Sequence, residues 1–458
     1  MHVQRLDGVE ATVAGWGRYP VVRTYLKRPE KISALTEIIA SAEDRKLLAR
    51  GAGRSYGDAS LNPDGLTVLT ERLNRMLSFD PDEGILRCEA GVTLADVLAV
   101  FVPRGWFPSV TPGTKYVTVG GLVGCDVHGK NHHKDGSLSR HLGKLRMTVA
   151  SGDEVDCSAA LNKDLFWATV GGMGLTGVIL EAEMSLSRIE TAYIKVRKIK
   201  SRDLDETMAL FEEHDSRYRY SVAWVDCLAE RGGLGRSILM LGDHARLDDL
   251  DARRRENPLS VTPKTRLSVP ADMPPGLLNR YSMGLFNGLY YAAQLAADQQ
   301  TIVDYDSYFY PLDAILRWNR LYGKNGFVQY QCVIPPAESK KALTELLSSC
   351  SRSGRGSFLS VLKRFGQQEG LLSFPMPGYT LTLDMPVSPG LFDFLDELDR
   401  IVLKYGGRVY LAKDARLKAA TMRQMYPNLD RWLAVKAAVD PDNAFSSALA
   451  RRLELCPR

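Results

Sequence analysis

A glycine-rich segment, residues 51–58, is the first part of the chain whose residue types suit the binding of an anion. It follows a short apolar run typical of a strand, and its glycines permit positive φ and close approach of a ligand. Consecutive backbone N–H groups in such a loop can enclose a phosphate oxygen. The expected loop consists of Gly51, Ala52, Gly53, Arg54, Ser55, Tyr56, Gly57 and Asp58.

This loop is not the G-x-G-x-x-G fingerprint of nicotinamide-dependent enzymes, because Tyr56 stands where the third glycine belongs. Residues 172–177 do match that pattern, but residues 178–183 after them have the composition of a strand, where that fold requires a helix. The sequence therefore argues against a classical NAD-binding domain.

A third segment, residues 112–133, combines glycines with histidines, and four of the seven histidines fall between positions 128 and 141. A metal site is disfavoured, since Gly129 opposes a helix that would align His128 with His132, and no acidic ligand completes the set. Small residues beside a conjugated ring and a pyrophosphate explain the glycines better. No metal is expected.

Polar side chains alternate with apolar ones in three later segments, residues 328–332, 361–365 and 379–385. Because successive side chains of a strand point to opposite faces, each polar set should share one face. Alternation alone leaves two interpretations open, a polar pocket and an ordinary solvated face. The polar residues are Gln329, Gln331, Lys363, Thr380, Thr382 and Asp384.

The elements that position these residues begin with short β-α alternation. Residues 46–50, 66–69 and 85–90 are predicted strands, and Thr93 caps a predicted helix over residues 94–101. From about residue 190, longer alternating segments separated by amphipathic helices indicate a second domain.

Near the C-terminus, residues 391–402 carry the apolar stripe of a helix, which precedes a strand at residues 408–411. Ser388 is the expected cap, Pro389 suits the first turn, and Gly406 with Gly407 ends the helix.

Residues 254–293 differ from both parts: after the arginines at 253–255 come several prolines and then an apolar run with few charges. Two interpretations remain open: a loop with a core helix, or a mobile lid whose apolar side meets a lipid or membrane surface.

The composition of the 458 residues, 45% hydrophobic and 25% charged, is that of a globular protein. No apolar run reaches the roughly 20 residues that span a bilayer, and residues 1–7 do not resemble a secretory signal. A net charge of +5 does not suggest a nucleic-acid partner. Seven scattered cysteines favour a reducing compartment. We expect a cytoplasmic protein, with peripheral contact at the inner membrane left open.

Four segments in the same order, residues 51–58, 112–121, 125–133 and 166–174, resemble the FAD domain of the vanillyl-alcohol-oxidase-type flavoproteins. Residues 126–133, 329–331, 410–414 and 439–445 resemble more narrowly the decaprenylphosphoryl-β-D-ribose 2′-oxidase family within that group. The resemblance implies an α+β fold with a two-part FAD-binding domain (PCMH type) over residues 1–190. A substrate domain on an antiparallel sheet flanked by helices then covers residues 191–404, and residues 405–458 return to the first domain.

This resemblance also implies an activity. Family members oxidise the C2′ hydroxyl of a polyprenylphosphoryl-β-D-ribose to the keto sugar, and a short-chain keto-reductase then gives the arabinose epimer used in cell-envelope glycans. FAD is expected to bind noncovalently, because Tyr56 stands where several relatives carry a tethering histidine. The enzyme alternative is a soluble alditol or aldonolactone oxidase of the same fold. An alternative of another class is a flavin- or lipid-binding module without catalysis.

Site residues follow from matching positions. The resemblance makes Lys413 and His128 catalytic, with Lys413 acting either as a base or through its charge. Beyond the loop at 51–58, the implied cofactor-binding residues are Gly113, Thr118, Val119, Gly120, Gly121, Cys125, Asp126, His128, Ile179 and Tyr410. The implied substrate residues are Lys130, Trp224, Gln329, Gln331, Lys363, Thr380 and Thr382. Thr382 departs from the family, which has cysteine there.

Overall fold

The computed structural model describes residues 8–42, 45–261, 267–274, 276–357 and 359–456. Two sheets form the first part of the chain. The first contains β1 (Val9–Ala14), β2 (Val21–Lys27), β3 (Leu47–Arg50) and β4 (Leu66–Leu69), in the order β1-β2-β4-β3. The second contains β5 (Met76–Asp80), β6 (Ile85–Glu89), β7 (Trp106–Pro108), β8 (Leu142–Thr148), β9 (Glu154–Ser158) and β10 (Val178–Arg188). Its order is β5-β6-β10-β8-β9, with β7 also on β10.

A larger antiparallel sheet follows, in the order β15-β11-β13-β12-β18-β19-β17-β20. A separate parallel pair, β14 with β16, lies outside it. The bounds are β11 (Tyr193–Ser201), β12 (Tyr220–Val225), β13 (Ser237–His244), β14 (Leu267–Ser268), β15 (Asp298–Asp304), β16 (Ile315–Leu316), β17 (Phe327–Ile334), β18 (Val361–Phe365), β19 (Gly378–Pro386) and β20 (Arg408–Val409).

The helices are mostly short in the first half of the chain and longer behind the large sheet. They are α1 (Ile32–Ala40), α2 (Leu94–Phe101), α3 (Val119–Gly124), α4 (His132–Asp135), α5 (Lys163–Thr169), α6 (Leu204–His214), α7 (Ala252–Glu256), α8 (Arg280–Ala293), α9 (Tyr305–Phe309), α10 (Pro336–Ser353), α11 (Leu391–Lys404), α12 (Ala419–Met425), α13 (Leu429–Val439) and α14 (Ala448–Arg452). Helices α6, α10 and α11 pack on one face of the large sheet, which leaves the other face for a site.

Local sequence explains most of these boundaries. Thr93 caps α2 through a reciprocal capping box with Asp96, as the sequence predicts. β10 follows the glycines at 172–177 directly, so that segment does not open a helix. The expected cap at Ser388 is wrong: α11 begins at Leu391 after Gly390 at φ 72°, and the Ser388 hydroxyl bonds Arg355 at 2.9 Å. Gly390 takes a left-handed conformation that shifts the helix start past the serine.

The end of the chain returns to the first sheet. Phe445 forms a parallel bridge with Leu47 of β3, and the Trp432 indole donates to the Ala168 carbonyl at 2.8 Å. Arg452 of α14 lies 2.8 Å from both Asp58 and Asp414. The loop at residues 51–58 is therefore held from behind by residues 445–452.

Helix α8 settles the two interpretations of residues 254–293 in part. Of its 14 residues only Met283 and Asn287 are buried, so it is not a core helix. Residues 262–266 and 275 lie outside the described residues. No helix within the described residues is long and apolar enough to cross a membrane.

Candidate active site

The loop at residues 51–58 has the form of an anion cradle. The backbone N–H groups of Ala52, Gly53, Arg54 and Ser55 donate to no acceptor among the described residues. Gly53 has φ 62°, which favours glycine, and a Cβ at Gly57 would overlap the carbonyl oxygen of Asp414. Four successive free donors in a tight loop suit a phosphate.

The second glycine segment closes against this loop. A Cβ at Gly51 would overlap the hydroxyl of Thr118, which caps α3 by accepting from the Gly121 N–H at 3.3 Å. The amides of Val119 and Gly120 donate to the backbone of Val92 and Ala90, both at 2.8 Å. These two N–H groups therefore hold the start of α3 against the segment that follows β6. They are not available to a cofactor, which could contact these residues only through their carbon atoms and carbonyl groups.

Lys413 lies at the mouth of the cradle. It follows β20 in a turn in which its N–H donates to the Tyr410 carbonyl at 3.0 Å, and its ammonium is 4.0 Å from the centre of the Tyr56 ring. The Tyr410 hydroxyl donates to the Cys125 carbonyl at 2.8 Å, and its ring stacks on Phe374. Lys413, Tyr56 and Cys125 thus come together from three distant parts of the chain.

His128 contributes a neutral imidazole. Its Nε2 lies 2.9 Å from the amide nitrogen of Gln331, which also donates to the Thr380 hydroxyl at 3.2 Å. Burial, and next the charge of Lys363, lower the pKa of His128 well below its usual value. With the Gln331 amide donating to Nε2, the proton belongs on Nδ1, which has no partner among the described residues.

The free face of the large sheet carries the alternating polar residues. Lys363 lies opposite Thr380, Gln331 opposite Thr382, and Gln329 opposite Asp384 in the antiparallel pairs, so each pair shares a face. Thr382 also lies opposite Val361, which pairs with Trp224 of the next strand. The pairing of β17, β18 and β19 and the contact of Gln331 with His128 place these polar residues on one face, which we call the pocket floor.

Three lysines face this region without an acidic partner. Lys130 donates to the Tyr308 carbonyl and lies over its ring, Lys363 lies 5.8 Å from the Phe365 ring, and Lys413 lies over Tyr56. None forms an ion pair with a carboxylate in the part of the chain that the structure describes. Burial lowers the pKa of Lys130 to about 7 and those of Lys363 and Lys413 to about 8, with neighbouring lysine charges adding to the first two. Such a cluster suits an anionic ligand.

Other predicted residues are placed differently. Asp58 is paired with Arg452, and Asp126 accepts from Ser137 at 2.7 Å and Ser373 at 2.6 Å. Protein donors therefore bind both carboxylates. That Asp58 and Asp126 also contact a cofactor remains a prediction. Ile179 is buried on β10, and a Cβ at Gly113 would meet nothing within 4 Å.

Sequence reasoning left several pocket residues unassigned. Asp384 is buried on the polar face, Phe365 and Phe374 enclose the His128 ring, and Tyr290 of α8 lies 4.7 Å from the Trp224 ring. The alternation in β19 is a signal that already includes Asp384. No local pattern indicates that the aromatic residues meet, because they come from separate elements.

The geometry fits FAD. Free loop amides and the buried Nε of Arg54, which has no partner among the described residues, suit a pyrophosphate. The close approach of Gly51 to Thr118 provides a narrow wall beside it. The lysines and the neutral His128 supply polar groups for a substrate at the pocket floor.

Comparisons with known proteins agree with this geometry. A family model described as an FAD binding domain matches residues 24–158, and one described as D-arabinono-1,4-lactone oxidase matches residues 382–453. A decaprenylphosphoryl-beta-D-ribose oxidase of Mycolicibacterium smegmatis is 39% identical over 447 residues, which cover 96% of this chain and 97% of that protein.

Two further proteins are similar to this chain over different shares of its length. A Streptomyces coelicolor protein encoded in the mprA 5′ region is 37% identical over 80% of this chain and all of its own length. The L-gulonolactone oxidase of Mus musculus is 30% identical over 33% of this chain and 35% of its own. The match that covers nearly all of both chains is decisive: this protein belongs to the decaprenylphosphoryl-β-D-ribose oxidase family and is an FAD-dependent oxidoreductase.

Proposed function

We propose that the protein oxidises the C2′ hydroxyl of a polyprenylphosphoryl-β-D-ribose to the 2′-keto sugar with FAD. The observation that carries the proposal is a set of three lysines, Lys130, Lys363 and Lys413, whose charges act on one another and which form no ion pair with a carboxylate of the described residues. A near full-length relative named as a decaprenylphosphoryl-ribose oxidase supports the same substrate.

Charge balance favours a phosphorylated sugar over a neutral one. Among the carboxylates of the described residues, that of Asp384 alone acts on the charges of these three ammonium groups. A phosphodiester brings one negative charge, and the substrate oxygen develops another as its proton leaves. A neutral polyol would leave the excess positive charge uncompensated, at an energetic cost that rises with burial.

When bound, FAD supplies the acceptor for the hydride that leaves C2′. The amides of the 51–58 loop and Arg54 hold its pyrophosphate, while Thr118 and Cys125 belong to the wall beside it. Lys363 and Lys130 bind the phosphodiester, and Gln329 and Gln331 orient the sugar hydroxyls. The hydroxyl proton passes to solvent water as the hydride leaves C2′, and Lys413 stabilises the negative charge that develops on the substrate oxygen. His128, neutral and held by Gln331, offers a hydrogen-bonding edge without adding charge.

The decisive experiment is anaerobic reduction of the bound flavin. Polyprenylphosphoryl ribose should bleach the flavin absorbance in a single turnover, whereas free pentitols and aldonolactones should not. The match of residues 382–453 to a lactone oxidase model makes those compounds the proper competitors. Preferential bleaching by a lactone or an alditol would assign the enzyme to the soluble alternative, and no bleaching by any of them would favour a binding module.

The flavin is held without a covalent bond in this proposal, since Tyr56 cannot form the histidyl link that several relatives use. Acid precipitation should therefore release yellow flavin to the supernatant. Colour retained in the pellet would contradict it.

We also propose peripheral membrane contact through α8, with the protein on the cytoplasmic side of the inner membrane. Tyr281, Leu285 and Leu289 form one row on the helix and are 85%, 66% and 61% exposed. The arginines at 253–255 do not flank this row: Arg254 lies over Tyr193 at the start of β11, whereas α8 is tied to the end of β11, where Tyr291 bonds Ser201. The contact is therefore chiefly apolar.

Vesicle flotation tests this contact. Leu285→Ser with Leu289→Ser should reduce binding to anionic vesicles and raise the KM for a long-chain substrate, but not that for a short-chain analogue. Leu161→Ser, at a half-exposed leucine elsewhere, is the matched control. Absence of vesicle binding by the unaltered protein would contradict the contact.

The product also requires a partner. A 2′-keto sugar becomes the arabinose epimer only when a reductase delivers hydride from the opposite face. We propose a short-chain keto-reductase in that role, and coupled assays that accumulate the keto sugar in its absence test it.

A further inference from the structure

Asp384 is a buried carboxylate to which the proposed reaction assigns no task. It lies on the polar face of β19 with 1% of its surface exposed, and its Oδ1 accepts from the Gln329 amide at 2.6 Å. Its Oδ2 is buried and has no hydrogen-bond partner among the described residues. Its N–H donates to the Ser357 hydroxyl at 3.0 Å, which fixes the backbone. An unpartnered oxygen at this depth is costly, so its retention needs a reason.

The titratable groups around Asp384 come from several elements. Lys413 approaches from the turn after β20, Tyr56 from the 51–58 loop, and Tyr322 from the segment before β17. On its other sides Lys413 is close to Cys125, and its charge reaches Lys363 and His128. Among these neighbours, Asp384 is the carboxylate that acts on the Lys413 ammonium.

Electrostatics couples the two groups. Burial lowers the pKa of Lys413 to about 8, and the negative charge of Asp384 opposes that shift. Burial raises the pKa of Asp384 to about 7, opposed by the Gln329 hydrogen bond and by Lys413. Between these values both groups are charged. Lys413 and Asp384 nevertheless form no ion pair, which leaves the ammonium hydrogens available to a ligand.

We propose that Asp384 is a positioning residue that keeps the Lys413 ammonium protonated in the empty pocket, with Gln329 fixing the carboxylate for that task. The proposal rests on the proposed function for its catalytic meaning, although its electrostatic content stands by itself. Without Asp384, Lys413 loses the largest influence that opposes its desolvation, and it is driven towards the neutral amine. A neutral amine lacks the positive charge and stabilises the developing oxyanion less than an ammonium does.

The primary test measures Lys413 itself. Asp384→Asn retains an oxygen that accepts from Gln329 but removes the charge. The oxidised holoenzyme is labelled with trace acetic anhydride between pH 6 and 9, and acetylation of the Lys413 peptide is measured by mass spectrometry relative to exposed Lys418. Because only the free amine reacts, Asp384→Asn should increase Lys413 labelling at pH 7 by about three- to fivefold.

The matched control is Asp399→Asn. Asp399 is also buried, and burial also raises its pKa to about 7, but its neighbours are Arg416 and Tyr330 rather than Lys413. This variant should leave Lys413 labelling unchanged. An unchanged Lys413 labelling curve in Asp384→Asn would overturn the proposal.

A second variant and a second readout guard against misfolding. Gln329→Leu removes the donor that stabilises the carboxylate and should shift Lys413 labelling in the same direction. In single turnover, Asp384→Asn should reduce flavin normally at pH 6 and lose rate above pH 7. A uniform loss at every pH indicates a structural role and overturns the proposal. If unaltered enzyme is not reduced by polyprenylphosphoryl ribose, the proposed function fails while the labelling result still decides the role of Asp384.

Discussion

Buried and half-buried charged groups lie on both sides of the 51–58 loop, and their pairing differs between the two sides. Behind the loop, Arg452 bridges Asp58 and Asp414 at 2.8 Å each, so both carboxylates share one guanidinium as their ion-pair partner. In front of it, Lys363 and Lys413 are held near aromatic rings and form no ion pair with a described carboxylate. The paired side stabilises the fold, whereas the unpaired side retains charge for a ligand. Whether a charged residue has an ion-pair partner therefore distinguishes structural charges from ligand-binding charges, which the positions of the residues in the sequence do not.

The largest effect is expected on the paired side. Arg452→Met leaves Asp58 and Asp414 buried without a counter-charge, and breaking a buried pair in this way costs about 3–5 kcal/mol in the free energy of unfolding. Chemical denaturation measures it. Arg431→Met, which removes an exposed pair with Asp164, should cost less than about 1 kcal/mol. Equal losses in both variants would mean that the ion pairs behind the loop stabilise the fold no more than an exposed pair does.

On the side in front of the loop, Lys413→Ala should affect the rate of reaction instead of the stability. Stability should change little, FAD should remain bound, and single-turnover flavin reduction should fall by on the order of 10² or more. Lys418→Ala, at an exposed lysine paired with Asp396, is the control and should retain the rate. Near-normal reduction by Lys413→Ala would place the catalytic charge elsewhere.

The sequence predicts much of the paired side only in outline. The strand before the loop, the glycines within it and the helix capped by Thr93 follow from local pattern. The pairing of Asp58 with Arg452 does not, because the partners are 394 residues apart and nothing local relates them. The polar pocket floor can be predicted from the sequence, because polar and apolar residues alternate in β17, β18 and β19. Its aromatic enclosure, Phe365, Phe374 and Tyr410 around His128, depends on tertiary packing alone.

A third prediction concerns pH. The folded-state pKa values of Lys130, Lys363 and Lys413, about 7, about 8 and about 8, lie below the usual value of 10.5. Above about pH 8 the cysteines, whose thiol pKa values burial raises, change the free energy of unfolding in the opposite direction. Between pH 7 and 8 the lysines dominate: they bind more protons in the unfolded chain than in the folded chain, and the free energy of unfolding should rise. Thermal unfolding of the substrate-free enzyme measures this slope. Lys363→Met should flatten it, and a slope that does not respond would show that Lys363 is hydrated.

The smallest effect is expected at Thr382, which lies opposite Gln331 and Val361 on the pocket floor. A threonine hydroxyl is a poor nucleophile, so electrophilic pocket ligands should inhibit reversibly. Thr382→Cys should make inhibition time-dependent and leave turnover largely intact, with a mass increment on that residue. The absence of an adduct on an active variant would mean that this strand does not face the ligand.

The late return of the chain has a consequence for biosynthesis. Asp58 leaves the ribosome 394 residues before Arg452, which at about 5–20 residues per second is a delay of roughly 20–80 s. Throughout that interval the loop lacks both the Arg452 guanidinium and the bridge between Leu47 and Phe445. Flavin loading therefore waits until residue 452 has been made, and chains that terminate before residue 445 should emerge colourless whatever the flavin supply of the cell.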